Sequence, residues 1–416
     1  MMPNLGWHRI LNILSITNTT IIMSQPDYYQ LLDKLIVSQP LNIWKNKIRF
    51  TILHEVANYL NKDFVQARFH MFDHIIHGQL VDKPRWMKII DDMNKYIGEL
   101  LGELYVSRYF PDYAKQRTIN LTKHLIKVYH KRIIQSEWMS DITKGKAINK
   151  LNKLRTKIGY PSTWKTYDRI YMNRWSYFES MSSVFRYTYR KKIKDLSKEV
   201  DRDEWIFPPQ TVNAFYNPLF NEIIFPAGIL QEPFFLFDAD DAINYGAVGF
   251  IIAHELTHGF DDQGRKYDAN GNLRLWWTPK DINEFDSRAK IMVEQYNNYQ
   301  LLNTNVNGLL TLGENIADLG GLEIAYEAFS QTQQAKNGIL IDDLTPKQRF
   351  FLGFARASRI KMTDAKLLFM IKIDPHAPAI FRVNGVLSNM MGFYYTFNVT
   401  KNDKMFRDNS ERVFIW

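Results

Sequence analysis

Residues 244–259 read Asn244-Tyr-Gly-Ala-Val-Gly-Phe-Ile-Ile-Ala-His254-Glu255-Leu-Thr-His258-Gly259. A run this apolar on nearly all faces belongs in a core. A His-Glu-His cluster inside it needs a reason, because buried charge is costly unless paired. If the run is a helix, His254 and His258 stand at i and i+4, one above the other on a single face. Two imidazoles so placed reach one zinc ion at about 2.0–2.1 Å. Glu255 projects beside them, off the ligand face, where it reaches a water on the metal and takes its proton. With ten His in 416 residues, chance alone supplies an H-E-x-x-H in roughly one such chain in a hundred.

A hydrolytic zinc site needs a third protein ligand and an open fourth position. The stretch Leu310-Thr-Leu-Gly-Glu314-Asn-Ile-Ala-Asp318-Leu-Gly-Gly321 offers one. Glu314 and Asp318 are again i and i+4, so both carboxylates face one way. Taken alone they read as an ordinary solvated helix start with favourable acid–dipole contacts. Beside the first motif, Glu314 reads as the ligand. Asp318 then points at the ring N–H of a liganding His, fixing its tautomer. Asp261, three residues after His258, is placed to do the same for the second His. The implied cofactor is one Zn2+ per chain. A closed site of cysteines is excluded, because the chain has none.

Composition bounds the rest. At 416 residues two domains are expected. A hydrophobic content of 45% with 14% aromatics excludes a disordered chain. The absence of cysteine excludes a disulfide framework and suits the cytoplasm or another reducing compartment. Residues 1–200 hold 33 Lys and Arg against 17 Asp and Glu, a net +16; residues 201–416 hold 20 against 27, a net −7. The basic half suggests nucleic acid or acidic peptides. However, its lysines fall in helical patterns such as Lys144 to Lys157, which read as solvated faces, and no nucleic-acid motif accompanies them. Leu11–Ile16 is too short and polar to span a membrane. Asn18, Asn120 and Asn398 begin glycosylation triplets that carry little weight without a secretory signal.

Along the chain, residues 19–36 predict a short strand leading into a helix. Apolar spacing predicts helices over Leu41–Asn61, Trp86–Phe110, Leu121–Trp138 and Tyr177–Lys198. His70, His74 and His77 also share helical spacing, but only Asp73 accompanies them, and they read as surface or packing residues. Thr211–Tyr216 predicts a strand and Asn221–Phe225 its hairpin partner, the first an exposed edge that an extended peptide can join. Thr278-Pro279 and Thr345-Pro346 each predict a helix start.

Four blocks in order carry a family resemblance: NAFYNPLFNEIIFPAGILQEPFF from Asn213, HELTHGFDDQGRKYDANGNLRLWW from His254, TLGENIADLGGL from Thr311, and Asp374-Pro-His376-Ala-Pro-Ala-Ile-Phe-Arg382. The chain resembles the neprilysin family of zinc endopeptidases, weakly from about residue 19 and densely after about residue 200. The resemblance implies an α+β, mainly α-helical fold: a thermolysin-like zincin catalytic lobe with a small sheet (176–416) and a helical, basic N-terminal lobe (1–175). That lobe reads as N-terminally truncated relative to the family. The resemblance further implies zinc-dependent hydrolysis of oligopeptides, with peptides as partners. Asn213 and Ala214 would bind substrate backbone. His376, with Asp374 beside it, would stabilise the oxyanion, and Arg382 would hold a substrate carbonyl. Asp318 would support the catalytic groups. Ile229, Phe234, Phe250 and Ile251 would line an apolar pocket for the side chain after the cut, with Ser358 where neprilysin-like members often carry Trp. Secreted relatives have disulfides, including a cysteine where this chain has Val413.

Other readings stay open from sequence. The truncated lobe suggests a catalytically impaired zinc- or peptide-binding remnant. The basic half suggests a nucleic-acid binder, for which steep salt dependence of oligonucleotide binding would be the mark. A zinc aminopeptidase would need an acidic group to grip the substrate amine, and none is identifiable.

Overall fold

The computed structural model describes residues 2–16 and 20–416. The glycosylation triplet at Asn18 and the first residue of the predicted strand lie outside the described residues. Packing divides the chain into two compact units, one of residues 1–92 with 166–202, the other of residues 93–165 with 203–416. The chain therefore crosses between units more than once, whereas the sequence suggests a single cut at 175/176. The reason lies in helices 112–135 and 141–152, whose apolar faces pack within the second unit.

The first unit is helical, with helices Trp7–Ile13, Pro26–Ser38, Leu41–Val56, Lys62–Arg68 and Tyr177–Asp195. Residues 20–25 form no strand; Pro26 opens the helix instead, its missing N–H harmless at the first position. Asp33 is buried because its Oδ1 accepts the amides of Asn4 and Leu5 at 2.7 and 2.9 Å. His70 and His74 stack at 5.5 Å, and His74 Nδ1 faces the Gln79 carbonyl at 2.9 Å.

The second unit is built from α1 (Asp112–Gln135), α2 (Asp141–Asn152), β1 (Arg155–Gly159), β2 (Phe215–Asn217), β3 (Glu222–Pro226), α3 (Phe250–His258), α4 (Pro279–Asn297), α5 (Leu312–Ser330), α6 (Pro346–Ala357) and α7 (Ala379–Leu387). The sheet order is β1-β3-β2. Fully buried β3 pairs in parallel with β1 and antiparallel with β2, with Phe215 opposite Ile224 and Asn217 opposite Glu222. The predicted hairpin is present and β2 is an edge, but the strand proper is three residues long, with 211–214 irregular ahead of it.

The run 241–258 is one continuous helical path, widened to π geometry at Tyr245–Gly249 before α3. Thr278 caps α4, accepting from the Asp281 amide at 3.3 Å, with Pro279 at the first helical position. Thr345 and Gln348 form a capping box at α6. Helices α3 and α5 cross at Gly321: a Cβ there would lie 2.6 Å from the backbone nitrogen of His254. Only a residue without a side chain permits that approach. Beneath them, rings of Tyr129, Trp138, Phe260, Trp277, Phe285 and Trp416 pack with centroids 5.4–6.4 Å apart, mostly in the tilted or edge-to-face arrangements aromatic pairs favour.

Two lysines of the stretch expected to be solvated are not. Lys157 on β1 is buried against Glu222 at 3.1 Å. Lys150 on α2 is 1% exposed. Its position explains this: Thr143, Ala147, Lys150 and Leu151, the buried residues of α2, fall at i, i+4, i+7 and i+8, the core-facing face of a helix.

Candidate active site

α3 and α5 bring the three sequence-predicted ligands together. His254 Nε2 lies 3.0 Å from His258 Nε2 and 3.2 Å from Glu314 Oε2, and His258 Nε2 lies 3.7 Å from Glu314 Oε1. Two bonds of about 2.0–2.1 Å meeting at a tetrahedral angle place their donors about 3.3–3.4 Å apart, so the triangle has the size a zinc ion requires. Among the described residues, these three are the one grouping of His and acidic donors converging within 4.8 Å.

The chemistry of the donors fits as well. His258 Nδ1 lies 2.7 Å from Asp261 Oδ2, and His254 Nδ1 lies 2.9 Å from Asp318 Oδ1. With a metal bound, each Nδ1 would keep its proton facing a carboxylate, and both Nε2 atoms would be free to act as ligands. The two Nε2 atoms stand 3.0 Å apart, close enough to share one cation. Glu314 Oε2 is buried, close to Nε2 of both His254 and His376 at 3.2 Å, yet aligned with neither as a hydrogen-bond acceptor. Glu314 also sits in the first turn of α5, where the helix dipole favours a carboxylate.

The electrostatics agree. Burial opposes charge on His254, but the carboxylates of Asp318 and Glu314 outweigh it and lift the imidazole to about 10. Burial and the neighbouring His254 charge oppose His258, and Asp261 lifts it. Burial acts to raise Glu314, but His254 and His376 hold its carboxyl far below the usual range. The carboxylates around the cluster thus favour positive charge on it. Glu255 is 7% exposed, and burial raises its carboxyl against the pull of the two imidazoles. That moves it towards the range of a general base.

A cleft of about 740 Å³ opens on this cluster. Its walls carry Asn213 and Ala214 from the chain leading into β2, then Ile229, Phe234, Phe250 and Ile251, and then His376 and Arg382. Tyr216, Phe354, Ser358 and Arg359 also line it. Asp318 and Asp374 stand behind the wall. Asp374 Oδ1 accepts the His376 amide at 2.8 Å and faces its Nδ1 at 2.7 Å, so Nε2 points at the cluster while the ring stays 45% exposed. Asp318 is fully buried and accepts Nε and Nη2 of Arg382 at 2.7 and 2.6 Å. It therefore serves His254 and Arg382 at once, a double role that the sequence spacing does not reveal.

Lys150 also belongs to this neighbourhood, which the run of lysines around it does not suggest. Its Nζ donates to the carbonyls of Gly259, Gly264 and Tyr267, directly after α3. Burial pulls its pKa down to about 7, against the pull of Asp261 and Asp268. The one sequence signal was its place on the apolar face of α2. No helix among the described residues is long and apolar enough to cross a membrane.

Sequence models of peptidase family M13 match residues 213–413 and 1–161. Neprilysin-11 of Caenorhabditis elegans is 34% identical over 412 residues, 96% of this chain and 48% of that protein. Endothelin-converting enzyme 1 of Rattus norvegicus is 34% identical over 409 residues, 94% of this chain and 54% of that protein. Among solved structures, the zinc metalloprotease Zmp1 of Mycobacterium tuberculosis bound to an inhibitor superposes with a TM-score of 0.89 at 39% identity, over 95% of this chain and 61% of that one. PepO from Lactobacillus superposes with a TM-score of 0.86 at 32% identity, over 94% and 60%. The chain thus spans about half the length of the curated relatives it matches.

Proposed function

The chain belongs to peptidase family M13, and from that premise we propose that it is a zinc-dependent endopeptidase that hydrolyses oligopeptides. The observation that carries the reading is the triangle of His254, His258 and Glu314, with donor atoms 3.0–3.7 Å apart and both rings oriented from behind by carboxylates. These three residues would hold one Zn2+ per chain, with Asp261 and Asp318 fixing the ring tautomers. When bound, zinc supplies a Lewis acid that activates water and polarises a carbonyl.

The chain's own residues do the rest. Glu255 takes a proton from the attacking water and passes it to the leaving amine. His376, held by Asp374, donates from Nε2 to the oxyanion of the tetrahedral intermediate. Arg382, locked onto Asp318, presents its remaining N–H groups to a substrate carbonyl. An extended peptide joins the β2 edge, with Asn213 and Ala214 pairing to its backbone. The apolar wall of Ile229, Phe234, Phe250 and Ile251 receives a bulky side chain, and Ser358 widens that end. Every ligand and proton-transfer residue lies in the proposed catalytic lobe, 176–416, while the basic helical lobe of 1–175 lends helices 112–135 and 141–152 to the same packing unit. A cysteine-free chain supports a compartment in which disulfides are not needed. Peptides, not nucleic acid, are the partners this cleft suits.

The test is zinc content together with cleavage of a quenched fluorescent peptide. Wild type and Glu255→Gln should both hold about one zinc, as three protein ligands require. The variant should lose activity by about 10²–10⁴-fold. Zinc uptake without wild-type cleavage would point to the binding-only remnant. A His254→Ala variant with full metal and full activity would overturn the site.

A further inference from the structure

Lys150 is buried without a carboxylate paired to it among the described residues. Its Nζ donates at 2.6 Å to the Gly259 carbonyl, at 2.8 Å to that of Gly264 and at 2.7 Å to that of Tyr267. Three ammonium protons thus meet three main-chain acceptors, all on the segment that leaves α3. The other polar side of that segment is gathered by Asp261. Its Oδ1 accepts the amides of Gln263 at 2.8 Å and Gly264 at 2.6 Å, while Oδ2 faces His258 Nδ1 at 2.7 Å. The segment folds back so tightly that a Cβ on Gly264 would lie 1.8 Å from the His258 carbonyl oxygen. Carbonyls are tied outward to Lys150, amides inward to Asp261.

We propose that Lys150 is a positioning residue of the metal site: by clamping the carbonyls of residues 259–267 it holds Asp261 against His258 and so sets zinc affinity and ligand geometry. The inference rests on the metal-site reading above. Burying an ammonium carries a large desolvation cost; here all three hydrogen bonds go to one loop, while the rings of Tyr216, Phe260 and Trp276 lie 5.4–5.8 Å from Nζ. A lysine that merely filled space would do so no better than methionine. A helix C-terminus is also where a cation is electrostatically welcome, and Gly259 is the first residue beyond α3.

The test measures zinc dissociation constants by competition with a chromophoric chelator for wild type, Lys150→Met, Asp261→Asn and the double variant. Circular dichroism and a thermal melt establish that each is folded. Each single variant should bind zinc about 10–100-fold more weakly, the usual cost of losing an outer-shell partner. The double variant should be no weaker than the worse single one, because both changes cut the same path. Cobalt(II) bound in place of zinc should show the same altered visible spectrum in both single variants, and Lys150→Arg should recover part of the affinity. If Lys150→Met does not fold, Lys150→Gln is titrated instead. Unchanged zinc affinity and cobalt spectrum in a folded but less stable Lys150 variant would mean a purely structural role and overturn the inference. So would additive losses in the double variant. A wild-type protein that takes up no zinc would overturn the metal-site reading itself, and that outcome is seen before any variant is compared.

Discussion

Gly321→Ala tests whether the approach of α3 and α5 sets the metal site. The added Cβ would lie 2.6 Å from the His254 nitrogen, 2.8 Å from its Cα and 3.1 Å from the Ala253 carbonyl carbon. All three are backbone atoms of α3, so no side chain can swing aside. Ordinary contact begins near 3.4 Å, and the helices must separate by roughly 0.8 Å to reach it, an overpacking that costs about 1–3 kcal/mol. Glu314 rides on α5 two turns away, and zinc bond lengths tolerate only about 0.2 Å. A retreat carried by α5 therefore exceeds the tolerance about fourfold. Zinc affinity should fall by at least the roughly 10–100-fold seen when an outer-shell partner is lost. Calorimetric melting of the apo protein reads the first effect and chelator competition the second. Gly145→Ala is the control: it lies in exposed helix with nothing within 4 Å of the new Cβ, and should stabilise by up to about 1 kcal/mol. If Gly321→Ala binds zinc like wild type and melts like the control, the close crossing does not govern the site.

Two further outcomes are expected. Asp281 is buried; that burial acts to raise its pKa, but hydrogen bonds from Ser140, Thr143 and Thr278 hold it below the ordinary value. Because the folded pKa is depressed, its stabilisation is present above the unfolded value of about 3.9 and is lost as pH falls through the folded one. Urea unfolding from pH 7 to pH 3 should therefore show a shallower acid decline for Asp281→Asn than for wild type, from a lower starting stability; parallel declines would refute this. Free zinc at about 100 times its dissociation constant should stabilise the apo protein by about 2.7 kcal/mol, and the same zinc should leave the melt of Glu314→Gln unmoved.

The parts of this molecule legible in its sequence are those with short-range causes. Spacing of four puts His254 over His258 and Glu314 over Asp318, and helix geometry does the rest. Thr278-Pro279 and Thr345-Pro346 announce helix starts because capping is local chemistry. What went unread depends on partners distant in sequence. β1, Arg155–Gly159, is a polar strand that exists because β3 lies beside it. The short strand expected at the start of 19–36 does not form in residues 20–25, and Pro26 opens a helix instead. Lys150 falls on the apolar face of α2, but the carbonyls that hold it lie more than a hundred positions away. The hold of Asp318 on Arg382 spans 64 positions, and no local pattern encodes it.

That shared carboxylate has an experimental consequence. Asp318 touches an imidazole of the ion-binding cluster with one oxygen and grips a cleft-facing guanidinium with both. Any substitution there changes two phenotypes through a single atom group, so a drop in turnover would conflate a loosened ion with a misaimed arginine. Separating the two requires genetics at the periphery, with Arg382→Lys on one side and a changed His254 on the other, because the hub itself yields only their mixture.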